Sequence, residues 1–191
     1  YGGTIYAITS DDNYIYVGGF IGGLGGSGQE TVKKFNKSNL SLVATSPDFG
    51  GAIYAITSDD NYVYVGGAAG LVNGRVKKFN KSNLSLVATS PDYGGVIQAI
   101  TIDNNYVYVG GEVTRAVRRF NKSNLSLVAT SPSYGGTIYA ITSDDNYVYV
   151  GGAVTQAVRR FNKSDLSLVA ESPNYGGVIQ AITIDNNYVY V

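Results

Sequence analysis

The sequence contains no cysteine, histidine, methionine or tryptophan in its 191 residues. The absence of cysteine and histidine excludes disulfide bonds, thiol nucleophiles, soft-metal sites and Ser-His-Asp chemistry. It also lacks a charge excess, because 14 Lys and Arg are balanced by 14 Asp and Glu. Nucleic-acid binding driven by counterion release is therefore not expected. No apolar run approaches the roughly 18 residues of a membrane-spanning helix, so no membrane insertion is expected.

The most prominent feature of the sequence is an internal repeat. The string Tyr-Gly-Gly, once Phe-Gly-Gly, recurs at intervals of 48, 44, 41 and 41 residues, beginning at Tyr1, Phe49, Tyr93, Tyr134 and Tyr175. Residues 93–133 and 134–174 match at 32 of 41 positions, and residues 175–191 repeat residues 93–109 without a change. This closeness indicates recent duplication or deliberate design. A period of about 40–50 residues is typical of propellers and of some helical repeats.

The local patterns favour strands. In the fourth repeat, short runs rich in β-branched and aromatic residues lie at 138–142, 147–150, 158–161 and 166–170, which we call strands A to D. Asn, Asp, Gly and Pro bound each run, and no window has a helical period long enough for a helix. The prediction is an all-β protein, a β-propeller of four-stranded antiparallel blades with four full blades and a two-stranded half blade. We expect one domain over 1–191, with blades at 1–48, 49–92, 93–133 and 134–174 and a partial blade at 175–191.

The order of motifs within each repeat resembles the YVTN-type and WD40-like propeller repeats. Ala-Ile-Thr-Ser is followed by Asp-Asp-Asn-Tyr-Val-Tyr-Val-Gly-Gly and then by Val-Arg-Arg-Phe, and the resemblance covers the whole chain. It implies a scaffold and binding platform without catalysis. The Trp-Asp and Gly-His pairs of WD40 repeats are absent, so the buried hydrogen-bond network of those residues is not expected and no partner class follows from the resemblance.

Three charged or glycine-rich features allow alternative interpretations. Strand C carries paired basic residues. They could form a basic belt that binds an anionic polymer, or their long side chains could cover apolar surface while the charged ends stay in water. The equal number of acidic residues favours the covering role. The turn at Asp11-Asp12-Asn13 offers fewer oxygens than Ca²⁺ needs, whereas Asp and Asn commonly bond the local backbone in turns. The Gly-Gly pairs after strand B are predicted to serve bulges and close contacts between blades. No metal or cofactor is expected.

The loops between strands B and C differ most from repeat to repeat. They share one face with the D–A loops because connections alternate between the two ends of a blade, and loops on a rigid frame commonly carry binding residues. The alternative is that the length differences are tolerated insertions. The candidate binding residues are Phe20, Ile21, Leu24, Gln29, Glu30, Leu71, Asn73, Arg75, Glu112, Arg115 and Gln156.

The sequence stops after strand B of the fifth repeat, which predicts an unpaired sheet edge. A longer natural protein, completion by another chain and a deliberate truncation are three explanations. We expect a homo-oligomer or completion of the half blade by another chain.

No repeat carries an isolated pair of acids, so an enzyme such as a glycosidase is not expected. The leading hypothesis is a non-catalytic repeat scaffold that binds other macromolecules through the loop face, or an engineered or amplified propeller without a selected ligand. The alternative is an extracellular lectin-like or adhesion module, with equivalent pockets between blades that bind glycans multivalently.

Overall fold

The computed structural model describes residues 2–21, 30–68 and 74–191. Blade 1 comprises β1 (Thr4–Ser10), β2 (Tyr14–Phe20), β3 (Lys33–Asn36) and β4 (Leu42–Thr45). Blade 2 comprises β5 (Ile53–Ser58), β6 (Tyr62–Gly67), β7 (Val76–Asn80) and β8 (Leu86–Thr89). Blade 3 comprises β9 (Ile97–Ile102), β10 (Tyr106–Gly111), β11 (Arg118–Asn121) and β12 (Leu127–Thr130). Blade 4 comprises β13 (Ile138–Ser143), β14 (Tyr147–Gly152), β15 (Arg159–Asn162) and β16 (Leu168–Glu171), and the half blade comprises β17 (Thr183–Ile184) and β18 (Val189–Tyr190).

The strands of each blade pair antiparallel in chain order, which gives four four-stranded sheets and one two-stranded sheet, and the described residues contain no helix. This confirms the predicted fold class, four blades and a half blade. The predicted start of strand D was wrong in detail: the strand begins at Leu168, because Leu166 has a φ of 61° and closes the preceding turn. The Leu166 side chain is buried instead of lying along the strand.

The hydrophobic core lies between successive blades. Tyr108 and Val117 of blade 3 pack against Ile138, Val148 and Phe161 of blade 4, and the blade 1–2 and blade 2–3 junctions are built the same way. Strand B is covered on both faces in these junctions, as expected for a strand that is apolar on both sides. Each blade therefore depends on its neighbour for burial of its apolar residues.

The first strand of each full blade is innermost. Together with residues 180–182, strands β1, β5, β9 and β13 line a central channel of about 380 Å³. Tyr6 and Tyr54 meet in this channel with ring centroids 5.2 Å apart. The first strands of the four full blades and the corresponding segment of the fifth repeat thus face a common axis, as the blades of a propeller do.

The Gly-Gly pairs close strand B as predicted. A Cβ atom on Gly110 would lie 2.5 Å from Ile138 Cγ2 of the next blade. One on Gly111 would lie 1.9 Å from the carbonyl oxygen of Val96, at the point where the register of β9 and β10 shifts. The first glycine therefore permits close packing between blades, and the second permits the bulge.

Candidate functional site

The B–C and D–A loops are joined on one end of the blades, which we call the loop face. The backbone N–H of Tyr93 donates to the carbonyl of Gly74 at 2.7 Å, and that of Tyr175 donates to the carbonyl of Gln156 at 2.6 Å. The Tyr134 hydroxyl also donates to the carbonyl of Ala157 at 2.7 Å from a buried position. Equivalent backbone bonds therefore anchor the described ends of the B–C loops before strand C, although the loop sequences differ.

The predicted binding residues occupy this face to different degrees. Phe20 ends β2 with 42% of its side chain exposed, and Arg115 is exposed on the B–C loop of blade 3. Glu30 is buried. Three others are half-buried on the loop face: Ile21, Arg75 and Gln156. Four lie outside the described residues: Leu24, Gln29, Leu71 and Asn73.

Glu112 reaches the central channel at its loop-face end. Its carboxylate accepts a hydrogen bond from Gln98 Nε2 at 2.9 Å. Burial, followed by the neighbouring Tyr6 and the Glu112 carboxylate, raises the pKa of the Tyr54 hydroxyl. The structure thus brings Glu112, Gln98 and Tyr54 together around the channel mouth, with Tyr6 stacked beside them.

The A–B and C–D turns meet on the opposite end, the turn face, where ion pairs join successive blades. Lys81 Nζ of blade 2 lies 3.0 Å from Asp11 Oδ2 of blade 1. The same pairing recurs between Lys122 and Asp59 at 2.9 Å and between Lys163 and Asp103 at 3.1 Å. Each of these aspartates also accepts a bond from a tyrosine hydroxyl of its own blade, as Asp103 does from Tyr108 at 2.9 Å.

In blades 1 to 3 the second base of the strand-C pair crosses to the following blade. Lys34 Nζ donates to the carbonyls of Lys81 and Ser82 at 3.0 and 3.3 Å, and Lys78 Nζ does the same to Lys122 and Ser123. Arg119 donates to the carbonyls of Lys163 and Ser164. The side chains of Lys34, Lys78 and Arg119 are only 5%, 4% and 7% exposed. These bases therefore connect blades and do not form a belt for an external polymer.

Sequence reasoning missed these connections. The repeated Asp of the A–B turn, the repeated Lys of the C–D turn and the second base of strand C were the available signal. Three polar pockets sit above these connections at the blade 1–2, 2–3 and 3–4 junctions, with volumes of about 370, 810 and 350 Å³. Much of their polar lining is already paired within the protein, since Lys34 Nζ lies 3.8 Å above the Tyr14 ring and also bonds two carbonyls.

The turn-face aspartates make stability depend on pH. Burial alone raises the pKa of the Asp103 carboxyl, but the N–H groups of Asn105 and Tyr106, the Tyr108 hydroxyl and Lys163 together hold that pKa below its ordinary value. A carboxyl with a lowered native pKa stabilises the fold above its unfolded-state pKa of about 3.9, and this contribution disappears as pH falls through the native pKa.

We expect Asp103→Asn to reduce the loss of stability on acidification, measured by urea unfolding at about pH 6 and about pH 3. Lys163→Met, which removes the ion pair but keeps the backbone donors, should reduce the loss only in part. An unchanged loss in Asp103→Asn would show that this carboxyl does not contribute to the pH dependence.

Within the described ranges, no group of three or more acidic side chains is placed to hold a metal ion. In the same part of the chain, no helix has the length and apolar character needed to cross a membrane.

The fold and its repeated junctions define a β-propeller built from near-identical four-stranded blades. Solved structures of designed proteins share this fold. The computationally designed Ika4 protein matches with a TM-score of 0.69 at 18% identity, over 85% of this chain and 92% of that one. The computationally designed Ika8 protein matches with a TM-score of 0.67 at 14% identity, over 97% of this chain and 66% of that one.

No protein-family model and no curated protein matches the chain. The comparisons indicate no catalytic family, and at these identities they establish the fold alone.

Proposed function

We propose that the protein is a non-catalytic propeller scaffold, a single domain similar to YVTN and WD40-like repeat proteins, that binds other macromolecules through its loop face. The observation that supports this most is the anchoring of the B–C loops. These loops are the most divergent part of the repeats, yet equivalent backbone bonds fix their described ends to the next repeat. Variable loops on a fixed frame are the usual arrangement of a binding surface.

The exposed and half-buried side chains of this face suit a protein or peptide ligand. Phe20 offers an apolar anchor, Arg115 a cation, and Glu112 a carboxylate at the channel mouth. Aromatic and arginine side chains are enriched among residues that dominate binding energy. These groups suit binding, which is the activity proposed here, and Glu112 is the one carboxylate among the three.

A lectin-like function is the second candidate, and the three equivalent turn-face pockets favour it. Repeated sites on one chain would give multivalent binding of a polymer of sugars. The internal pairing of Asp11, Lys34 and Lys81 counts against it, because an incoming sugar would have to displace bonds that already join the blades.

One experiment separates the two candidates. The chain is screened against a displayed peptide library and against a glycan array, and the selected binders are titrated against two variants. The loop-face variant combines Phe20→Ser, Glu112→Ala and Arg115→Ala, and the matched turn-face variant combines the exposed Asp60→Ala, Asn104→Ala and Asp145→Ala.

We expect peptide binders that weaken at least tenfold on the loop-face variant and stay within about twofold on the turn-face variant. Saturable sugar binding that is lost on the turn-face variant would instead support the lectin. Peptide binders whose affinity is the same for the loop-face variant and the wild-type protein would contradict the scaffold proposal.

We also propose that another chain completes the half blade. The half blade consists of the two strands β17 and β18. Tyr175, Val189 and Val191 of the fifth repeat are exposed, whereas their counterparts in blade 4 are fully buried: Tyr134, Val148 and Val150.

A further inference from the structure

The half blade carries an interrupted copy of the junction that joins the full blades. Tyr134 and Val148 are fully buried between blades 3 and 4, whereas their counterparts 41 residues later, Tyr175 and Val189, are 60% and 39% exposed. The sequences around these positions are nearly the same. The difference in exposure is therefore caused by the neighbouring structure and not by the residue types.

A cavity of about 390 Å³ lies between blade 4 and the half blade. Its lining reproduces the blade 3–4 core cluster at an offset of 41 residues, with the counterparts of Tyr108, Val117, Tyr134, Ile138, Val148 and Val150 all present. Two members of the cluster have no counterpart in the cavity: Phe161 and Leu166, which strand C and the C–D turn supply. The cavity thus lies where a phenylalanine and a leucine side chain complete the core of the blade 3–4 junction.

The polar groups around the cavity are incomplete in the same way. Asp11, Asp59 and Asp103 each pair with a lysine of the following C–D turn. In the described part of the chain Asp144, the next in the series, has no such ion pair within 4.0 Å. Arg160 occupies the position from which Arg119 reaches the carbonyls of the next C–D turn. It lies over the Tyr147 ring as Arg119 lies over the Tyr106 ring, so its guanidinium is placed to donate to a turn in the same position.

The outer edge of β18 offers the backbone contacts. Within the described residues β18 pairs with β17 alone. In blade 3 the equivalent strand, β10, pairs on this side with β11, and Val107 stands opposite Phe120. An edge strand with apolar neighbours is a template for the addition of a further strand.

We propose that this cavity and edge form a binding site for a β-hairpin with the sequence of the repeat's third and fourth strands. This inference rests on the proposed completion of the half blade and specifies the chemistry of the partner. The hairpin inserts its phenylalanine and leucine into the cavity, pairs with β18, accepts hydrogen bonds from Arg160 through its turn carbonyls and brings its turn lysine to Asp144.

A second copy cannot provide these groups by pairing its own half blade with this one. Two β18 edges paired antiparallel about a two-fold axis would keep the valine faces of both half blades on the same side of the joint sheet. Blade 4 already lines that side through Val158, Arg160 and Ala170. The fourth blades of the two copies would then occupy the same space, so the occupant is a hairpin and not a half blade.

The test uses the 191-residue chain and a synthetic peptide of residues 116–131. In the intact protein this segment sits on blade 2, where Phe120 and Leu125 are buried and Lys122 pairs with Asp59. The fluorescein-labelled peptide is titrated with the chain by fluorescence anisotropy. A scrambled peptide of the same composition controls for non-specific adhesion.

We expect saturable one-to-one binding and at least a tenfold loss with the Phe120→Ala peptide, because the aromatic ring is the larger of the two apolar side chains that enter the cavity. Lys122→Met in the peptide should weaken binding a few-fold on the wild-type chain and have no effect on an Asp144→Asn chain, which is the signature of a direct pair. Asp103→Asn, whose carboxylate already pairs with Lys163, is the matched control and should keep the lysine effect.

Absence of saturable binding, equal affinity of the Phe120→Ala peptide, or a lysine effect that survives Asp144→Asn would each overturn the inference. A doubling of the native mass that the peptide does not reverse would show that copies of the chain cover the site instead and would also overturn it. None of these outcomes depends on the loop face, because the loop-face variant keeps every residue of the hairpin site. Failure here is therefore distinguishable from failure of the macromolecule-binding proposal.

Discussion

Leu84→Ala is expected to lower the free energy of unfolding by about 3 kcal/mol, whereas Leu40→Ala should change it by no more than about 0.5 kcal/mol. Both leucines follow the sequence Asn-Lys-Ser-Asn and adopt nearly the same backbone, with φ of 58° and 56°. Leu84 is fully buried against blade 1, but Leu40 is 64% exposed because no blade covers it in the described structure. The large-to-small change therefore opens a cavity only at Leu84.

Urea denaturation of the two single variants, each compared with the wild-type protein, measures this difference. The two positions share their local sequence and turn geometry, so each serves as the control for the other. Equal losses would mean that the leucine acts within its own turn, and the junctions between blades would then not be the main source of stability.

Gly111→Ala is expected to destabilise the protein by more than about 3 kcal/mol or to prevent folding. The new Cβ would lie 1.9 Å from the Val96 carbonyl oxygen and 3.0 Å from the Gln98 nitrogen. Both are backbone atoms of the paired strand, so neither can turn aside as a side chain could. Relief would require β9 to separate from β10.

Gly50→Ala is the control for the glycine change. Its φ is 87°, and no atom beyond its chain neighbours lies within 4 Å of the position that a Cβ would take. The cost there is the left-handed backbone alone, about 1 kcal/mol. Thermal and urea unfolding of the two variants distinguish a steric effect from a conformational one, and comparable losses would refute the close approach of Gly111 to Val96.

The number and approximate positions of the strands can be predicted from the sequence, because apolar runs alternate with Asn, Asp and Gly turns in each repeat. The start of strand D was misplaced because Leu166 belongs by composition to the apolar run but by backbone to the turn. Local composition cannot reveal a positive φ at a leucine.

The connections between blades could not be predicted in the same way. Lys34 and the carbonyl of Lys81 that it contacts are 47 residues apart, and nothing local to either residue indicates the other. Leu40 and Leu84 show the same limit, since an identical local sequence gives an exposed side chain in one blade and a buried one in the next. Whether this leucine is buried depends on the presence of a neighbouring blade and not on its own local sequence.

Each blade is stabilised mainly by contacts with the adjacent blades, as the units of a repeat protein are. Blades 2 and 3 have a full blade on either side, whereas blade 1 and the half blade are each supported from one side within the described structure. Cohesion is consequently graded around the arc, strongest in the middle and weakest where the first and fifth repeats approach each other. We expect local opening to begin there, so a molecule that bridges the first and fifth repeats would act on the least cooperative part of the protein.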